Sequence, residues 1–76
     1  MHFPHGERRQ VRLSFLGIDG TGALVRLNVN SALIVTGSTD IAGFVEVLWE
    51  SRSIRVFETD LRDRSLVVDA RGSNPG

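Results

Sequence analysis

A run of twenty residues at positions 43–62 limits what this chain can fold into more than any other segment. Within it, residues 44–50 and 54–57 alternate between two sets of side chains, and a polar turn at 51–52 separates them. Alternation with a period of two is typical of β-strands, and two such runs around a short turn predict a hairpin. Residues 58–62 follow as one helical turn. The run therefore predicts a domain built mainly of β-strands.

The turn at 51–52 also predicts which side chains share a face of this hairpin. One face carries the pairs Trp49–Ile54 and Val47–Val56, and the other carries the pairs Leu48–Arg55 and Glu46–Phe57. Both faces therefore hold large apolar side chains. A strand that is apolar on both faces needs a cover on each of them. This pattern predicts a barrel, a binding partner, or both.

Residues 40–51 satisfy a helical pattern as well. Asp40 could cap such a helix, and apolar residues recur at helical spacing from there: Ile41, Phe44, Val45, Leu48 and Trp49. Against this, Gly43 and the β-branched Val45 and Val47 favour a strand. We expect an all-β domain, and an α+β domain with a helix at about 40–51 is the alternative.

A second hairpin is predicted earlier in the chain, because Asp19-Gly20 lies between two alternating runs. The predicted inner pairs are Phe15–Val25, Leu13–Leu27 and Val11–Val29, and the predicted outer pairs are Ser14–Arg26 and Arg12–Asn28. A turn at 28–31 should follow, then a buried strand at 32–36 and a loop at 37–43. A last strand is expected at 66–68.

Length and composition predict one small domain. The chain has 76 residues and no cysteine, and no run approaches the roughly 20 apolar residues of a membrane span. We expect a folded domain at 10–69 between flexible tails at 1–9 and 70–76. We also expect a cytoplasmic protein of bacterial type that does not bind a membrane.

Few residues suggest chemistry. His2 and His5 lie near the chain start with only Glu7 as an acidic neighbour, so we expect no metal site and no cofactor. The carboxylate pairs Glu46/Glu50 and Asp60/Asp63 each have arginines close in sequence, which predicts ion pairs rather than catalysis. We therefore expect no catalytic residues.

The order of elements resembles that of Src-homology-3-like barrels over residues 23–68: a long hairpin, two central strands, a short 3₁₀ turn and a final strand. The resemblance implies a small barrel of five or six strands with the 3₁₀ turn near 58–62. Barrels of this class bind peptides, RNA, DNA or other subunits, so the fold alone does not decide the function.

One enzyme family shares this pattern. Ser53-Ile54-Arg55-Val56-Phe57, followed by Leu61, is similar in spacing to the pore strand of the plasmid-borne type II dihydrofolate reductases. That family forms tetramers around a central pore that binds a nicotinamide cofactor and folate. Arg55 stands where the family has glutamine, and Phe57 stands where it has tyrosine. The resemblance implies an oligomeric reductase as an alternative function.

The function that we expect is that of a non-catalytic binding module, which associates with itself or with another protein. An aromatic residue, an arginine and a leucine among acidic residues are typical of interface centres. The expected binding surface is Glu46, Leu48, Arg55 and Phe57. A weak nucleic-acid site at Arg12 and Arg26 is a further alternative, although the formal net charge of zero does not favour it.

Overall fold

The computed structural model describes residues 3–38 and 41–68, apart from the side chain of Ser38. The elements in chain order are β1 Arg8–Val11, β2 Phe15–Asp19, β3 Leu24–Leu27, β4 Ala32–Ser38, β5 Phe44–Trp49, β6 Arg52–Phe57, α1 Glu58–Arg64 and β7 Ser65–Val67. The seven strands of the described residues form one antiparallel sheet in the order β3-β2-β6-β5-β4-β1-β7. The predicted all-β class is confirmed, with one short helix added.

Two features of the expected barrel differ from the structure. In the described part of the chain the sheet has seven strands where five or six were expected, and its hydrogen-bonded ladder is not closed, because β3 and β7 form its two edges. The hydrophobic core lies on one face of this sheet, which we call the inner face. It is made of Val11, Phe15, Leu27, Leu33, Val35, Val45, Val47, Ile54, Val56 and Leu61. Leu61 comes from α1, so the helix helps to cover the core.

The β5–β6 hairpin confirms the strand expected at 44–50 and excludes the alternative helix over 44–49; Asp40, its expected cap, lies outside the described residues. The register is shifted by two residues from the prediction, because Trp49 pairs with Arg52 and Val47 with Ile54. The turn consists of Glu50 and Ser51, both at positive φ (50° and 65°). Such two-residue turns match the twist of the strands. A shift of two leaves each side chain on its predicted face.

The first hairpin is also shifted by two residues. Phe15 pairs with Leu27 and Ile18 pairs with Leu24, so the predicted pairs Phe15–Val25 and Leu13–Leu27 are wrong. Val11 belongs to β1, which pairs with β4 and β7. A bend at 12–14 separates β1 from β2 and leaves Leu13 exposed. The backbone N–H groups of residues 12 and 13 both donate to the Arg64 carbonyl, at 2.7 and 3.1 Å, and hold this bend against the end of α1.

Gly17 explains how β2 crosses β6 at close range. It is buried, and a Cβ built on it would collide with Ile54 Cγ2 and lie 3.0 Å from Val56 Cγ1. Only a residue without a side chain fits this position without a shift of its neighbours. The close approach pairs Ile18 with Arg55 across the two strands.

The remaining elements depart from the prediction mainly at their ends. β4 continues to Ser38, with an irregularity between Val35 and Gly37, and only its inner face is fully buried. The expected single 3₁₀ turn is an α-helix of seven residues. Acidic residues lie in the first turn of this helix and basic residues in its last turn, an arrangement that the helix dipole favours. β7 begins one residue earlier than expected, at Ser65.

The folded domain begins earlier than the expected boundary at residue 10. Arg8 and Arg9 are strand residues rather than part of a tail. Before them, the Gly6 N–H donates to the Val35 carbonyl at 2.7 Å, and the Val35 N–H donates to the Glu7 carbonyl at 2.8 Å. Residues 69–76, which include the expected C-terminal tail, lie outside the described residues.

Candidate binding surface

The four residues expected to form a binding surface lie on one face of the sheet, opposite the core. Their strand positions alternate with those of the buried residues of β5 and β6. Cross-strand pairing adds Ile18, which is opposite Arg55, and Phe44, which is opposite Phe57. We call this set the outer patch: Ile18, Phe44, Glu46, Leu48, Arg55 and Phe57. Phe44 could have been included from the sequence, because it has the same strand parity as Glu46.

Two stacked phenylalanines form the aromatic part of the outer patch. The ring centroids of Phe44 and Phe57 are 4.6 Å apart, with an angle of 30° between the ring planes. Phe57 nevertheless keeps 49% of its surface exposed, and Leu48 keeps 36%. The other place for the Phe57 ring would be the inner position under the helix that follows β6. In the structure Leu61 fills that inner position, and Phe57 stays on the outer face.

The charged part of the outer patch consists of two neighbours that do not pair with each other. Glu46 and Arg55 are directly opposite in the β5–β6 ladder, yet Glu46 Oε2 accepts a hydrogen bond from Ser53 Oγ at 2.5 Å. Within residues 3–38 and 41–68, the half-buried Arg55 guanidinium has no hydrogen bond or ion pair. Its five N–H donors therefore remain open to a partner molecule.

Arg52, three residues away on the same strand, is paired instead. Its Nη2 lies 2.9 Å from Asp19 Oδ2, and its guanidinium carbon lies 5.7 Å from the centre of the Trp49 ring. Asp19 Oδ1 accepts three further bonds, from Thr21 Oγ1 at 2.6 Å, Thr21 N at 2.8 Å and Ala23 N at 3.1 Å. The Thr21 hydroxyl, the backbone donors and Arg52 lower the pKa of Asp19 to about 2. This carboxylate stabilises the β2–β3 turn.

Arg9 was expected in a flexible N-terminal tail, but it is a buried residue of the folded domain. Arg9 points into the inner face and keeps only 8% of its surface exposed. Its Nε donates to Ser65 Oγ at 2.7 Å, its Nη2 donates to the Ser65 carbonyl at 3.1 Å, and its Nη1 lies 2.9 Å from Glu7 Oε1. Ser65 Oγ donates in turn to the Leu61 carbonyl. This network joins the N-terminal segment to the end of α1.

The expected basic face at Arg12 and Arg26 is not built as predicted. Arg26 lies on the outer side of the edge strand β3, opposite Leu16. Arg12 lies in the bend that follows β1, so it does not pair with Asn28 as expected. The ladder therefore does not align these two guanidinium groups.

Two acidic residues of α1 form ion pairs with arginines of the same helix. The ion pairs expected around Asp60 and Asp63 are present: Arg64 Nε lies 3.3 Å from Asp60 Oδ1, and Arg62 Nε lies 2.9 Å from Asp63 Oδ1. The hydrogen bond from Arg62 lowers the pKa of Asp63. Across the described part of the chain, no three or more His, Cys, Asp or Glu side chains cluster as metal ligands would. No described helix is long and apolar enough to span a membrane.

Comparisons of the chain with protein-family models, with curated proteins and with solved structures found no match.

Proposed function

We propose that this protein is a non-catalytic binding module that associates with a second copy of itself through the outer patch. The observation that carries the proposal is the exposed aromatic pair beside an unpaired arginine. A monomer gains nothing by leaving Phe57 half exposed next to an open guanidinium. Interface centres are enriched in aromatic residues and arginine, and they gain stability when both are buried together.

The charges of the outer patch favour a second copy as the occupant. Glu46 and Arg55 are neighbours of opposite sign that do not bond to each other. In a two-fold symmetric dimer the same patch meets itself, and an axis that passes between Glu46 and Arg55 brings Glu46 of each copy to Arg55 of the other. The pairing occurs twice and leaves no unpaired charge in the interface. The formal net charge of zero means that long-range repulsion does not oppose this association.

Light scattering on wild type and on Phe57→Glu tests this proposal. We expect wild type to have a mass above the 8.4 kDa of one chain, with a dependence on concentration. Phe57→Glu places a charge in the centre of the patch and should give the mass of a monomer. Thr59→Glu is the matched control, because Thr59 is exposed on α1 and outside the patch. A monomeric wild type would contradict the proposal, and so would a Phe57→Glu variant that remains associated.

An oligomeric reductase is the second candidate, because the outward placement of Arg55 and Phe57 on one strand is what the reductase resemblance requires. This alternative predicts a mass of four chains and binding of a reduced nicotinamide dinucleotide. Titration of the protein with that dinucleotide, followed by Trp49 fluorescence, separates the two candidates. Association without cofactor binding would favour the binding module.

A further inference from the structure

A groove of about 350 Å³ lies next to the outer patch, on the outer face of the sheet. Its lining includes Arg8, Ala32, Ile34, Leu48, Glu50 and Val68. Of these residues only Leu48 belongs to the outer patch. The volume lies in the range of sites for small molecules, which combine an apolar lining with a few polar groups.

The floor of the groove is low because of one small residue. Ala32 is exposed on β4 and lies opposite Gln10 of β1. Ile34, the next outward residue of β4, pairs with Arg8 on one side and with Leu48 on the other. The larger side chains around Ala32 therefore form walls around a short apolar floor.

Among the described residues, Arg8 provides a cation without an ion pair at one rim of the groove. Arg8 is exposed, and its backbone is fixed because its carbonyl accepts the Val68 N–H at 2.8 Å. The nearest acid in sequence, Glu7, is already bound to Arg9 at 2.9 Å. In the part of the chain that the structure describes, the Arg8 guanidinium has no ion pair. A guanidinium at the edge of an apolar surface matches a carboxylate, which it can bind through two N–H groups.

The opposite rim limits the ligand to a single negative charge. Glu50 and Ser51 form the β5–β6 turn there. Arg8 and Leu48 are separated by two strand spacings, which is about 10 Å. Glu50 lies two residues beyond Leu48, in the turn that follows the end of β5. A polyanion would place a second charge towards Glu50, whereas an elongated molecule with one charged end would not.

We infer that the groove binds an elongated amphipathic carboxylate, with its carboxylate on Arg8 and its apolar chain over Ala32 and Ile34. The site does not depend on self-association, because Arg8, Ala32 and Ile34 lie outside the outer patch. It is a small-molecule site in addition to the proposed protein–protein surface.

Titration of ¹⁵N-labelled protein with octanoate tests this inference. We expect backbone shifts at residues 8–10, 32–34, 48–51 and 66–68. Octanol has the same chain without the charge and should bind about tenfold more weakly, and octylamine should bind less than octanol. Equal binding of octanoate and octanol would overturn the inference, as would shifts confined to other regions.

Two variants separate the charge from the shape of the groove. Arg8→Gln should weaken octanoate binding about tenfold, whereas the control Arg26→Gln, an equal change on the distant edge strand, should not weaken it. Ala32→Ile fills the floor of the groove with a larger residue that still suits a strand, so it should abolish octanoate binding. Octanoate binding at wild-type strength in both Arg8→Gln and Ala32→Ile would contradict the site.

A titration of Phe57→Glu keeps the two proposals apart. We expect this variant to bind octanoate as tightly as wild type does. If wild type is monomeric but octanoate binds in the groove, only the proposed self-association fails. If wild type associates but octanoate does not bind either protein, only the groove inference fails.

Discussion

Two arginines on opposite faces of one sheet show how differently this fold uses the same side chain. Arg9 lies on the inner face and is buried, and each of its three guanidinium nitrogens has an acceptor. Arg55 lies on the outer face, directly opposite a glutamate, and binds no acceptor among the described residues. A missing carboxylate does not explain this difference, since each arginine has a glutamate near it: Glu7 for Arg9 and Glu46 for Arg55. The two carboxylates differ in their partners: Glu7 Oε1 pairs with Arg9, whereas Glu46 Oε2 accepts from Ser53 Oγ and not from Arg55.

The comparison shows that, in the described part of the chain, the polar groups of the inner face have their hydrogen-bond partners, whereas the outer face keeps a guanidinium without one. No buried side-chain nitrogen or oxygen of the described residues lacks a hydrogen-bond partner. On the outer face, apolar side chains and an open guanidinium remain half exposed together. Stability should therefore depend on Arg9, and binding should depend on Arg55.

The largest effect that would test this comparison is on stability. Arg9→Met should lower the free energy of unfolding by about 3 kcal/mol, because it leaves Glu7 and the Ser65 carbonyl without their buried partner. Arg55→Met should change the free energy of unfolding of the monomer by less than about 0.5 kcal/mol. Urea denaturation at low protein concentration measures both values. Equal losses in the two variants would break the comparison.

A second effect tests whether the inner face is packed closely where β2 crosses β6. Gly17→Ala should lower the free energy of unfolding by about 2 kcal/mol, since the added methyl group meets Ile54 and Val56. Gly20→Ala is the matched control, because a Cβ there meets no atom within 4 Å. Thermal unfolding of both variants provides the measurement. A Gly17→Ala protein as stable as the control would show that the crossing is loose.

The smallest effect concerns a third charged group, Asp19, whose bonds stabilise a turn at the end of the sheet. Its folded pKa of about 2 lies below the ordinary value of 3.8. Its contribution to stability is therefore fully present above about pH 4 and is lost as the pH falls towards 2. The stability difference between wild type and Asp19→Asn should shrink over the same range.

The cause of this pKa shift can be tested separately. Thr21→Val removes the hydroxyl donor but keeps the backbone donors, so the pKa of Asp19 should rise. An NMR titration of the Asp19 carboxyl carbon measures this pKa in wild type and in the variant. A pKa that does not change in Thr21→Val would assign the shift to the backbone and to Arg52 instead.

The faces of the sheet could be predicted from the sequence, but the registers could not. Alternation over β5 and β6 separates Val45 and Val47 from Glu46 and Leu48 regardless of which residues form the turn. The register depends on the turn itself. Glu50 and Ser51 both adopt positive φ, which is uncommon for residues other than glycine and gives no composition signal. The same limit applies to the first hairpin, where the side-chain bonds of Asp19 fix the turn.

The burial of Arg9 could not be predicted from the sequence, for a different reason. An arginine near a chain end, beside glycine and proline, has the composition of a tail. Two of its three guanidinium nitrogens donate to Ser65, 56 residues away in sequence, and composition gives no signal of that contact. The outer patch was easier to predict, because Leu48, Arg55 and Phe57 follow from strand parity alone. Phe44 follows from the same parity, since it lies two residues before Glu46 on β5, and only Ile18 joins the patch through a pairing that depends on the register.

Sedimentation equilibrium of wild type, Arg55→Met and Arg26→Met tests the central claim most directly. Both variants lose one outer-face guanidinium, but only Arg55 lies within the outer patch. We predict that wild type and Arg26→Met associate equally and that Arg55→Met associates at least about tenfold more weakly, with its fold intact. Association of Arg55→Met at the wild-type level, or a wild type that stays at 8.4 kDa, would contradict the claim that the outer patch is the binding surface.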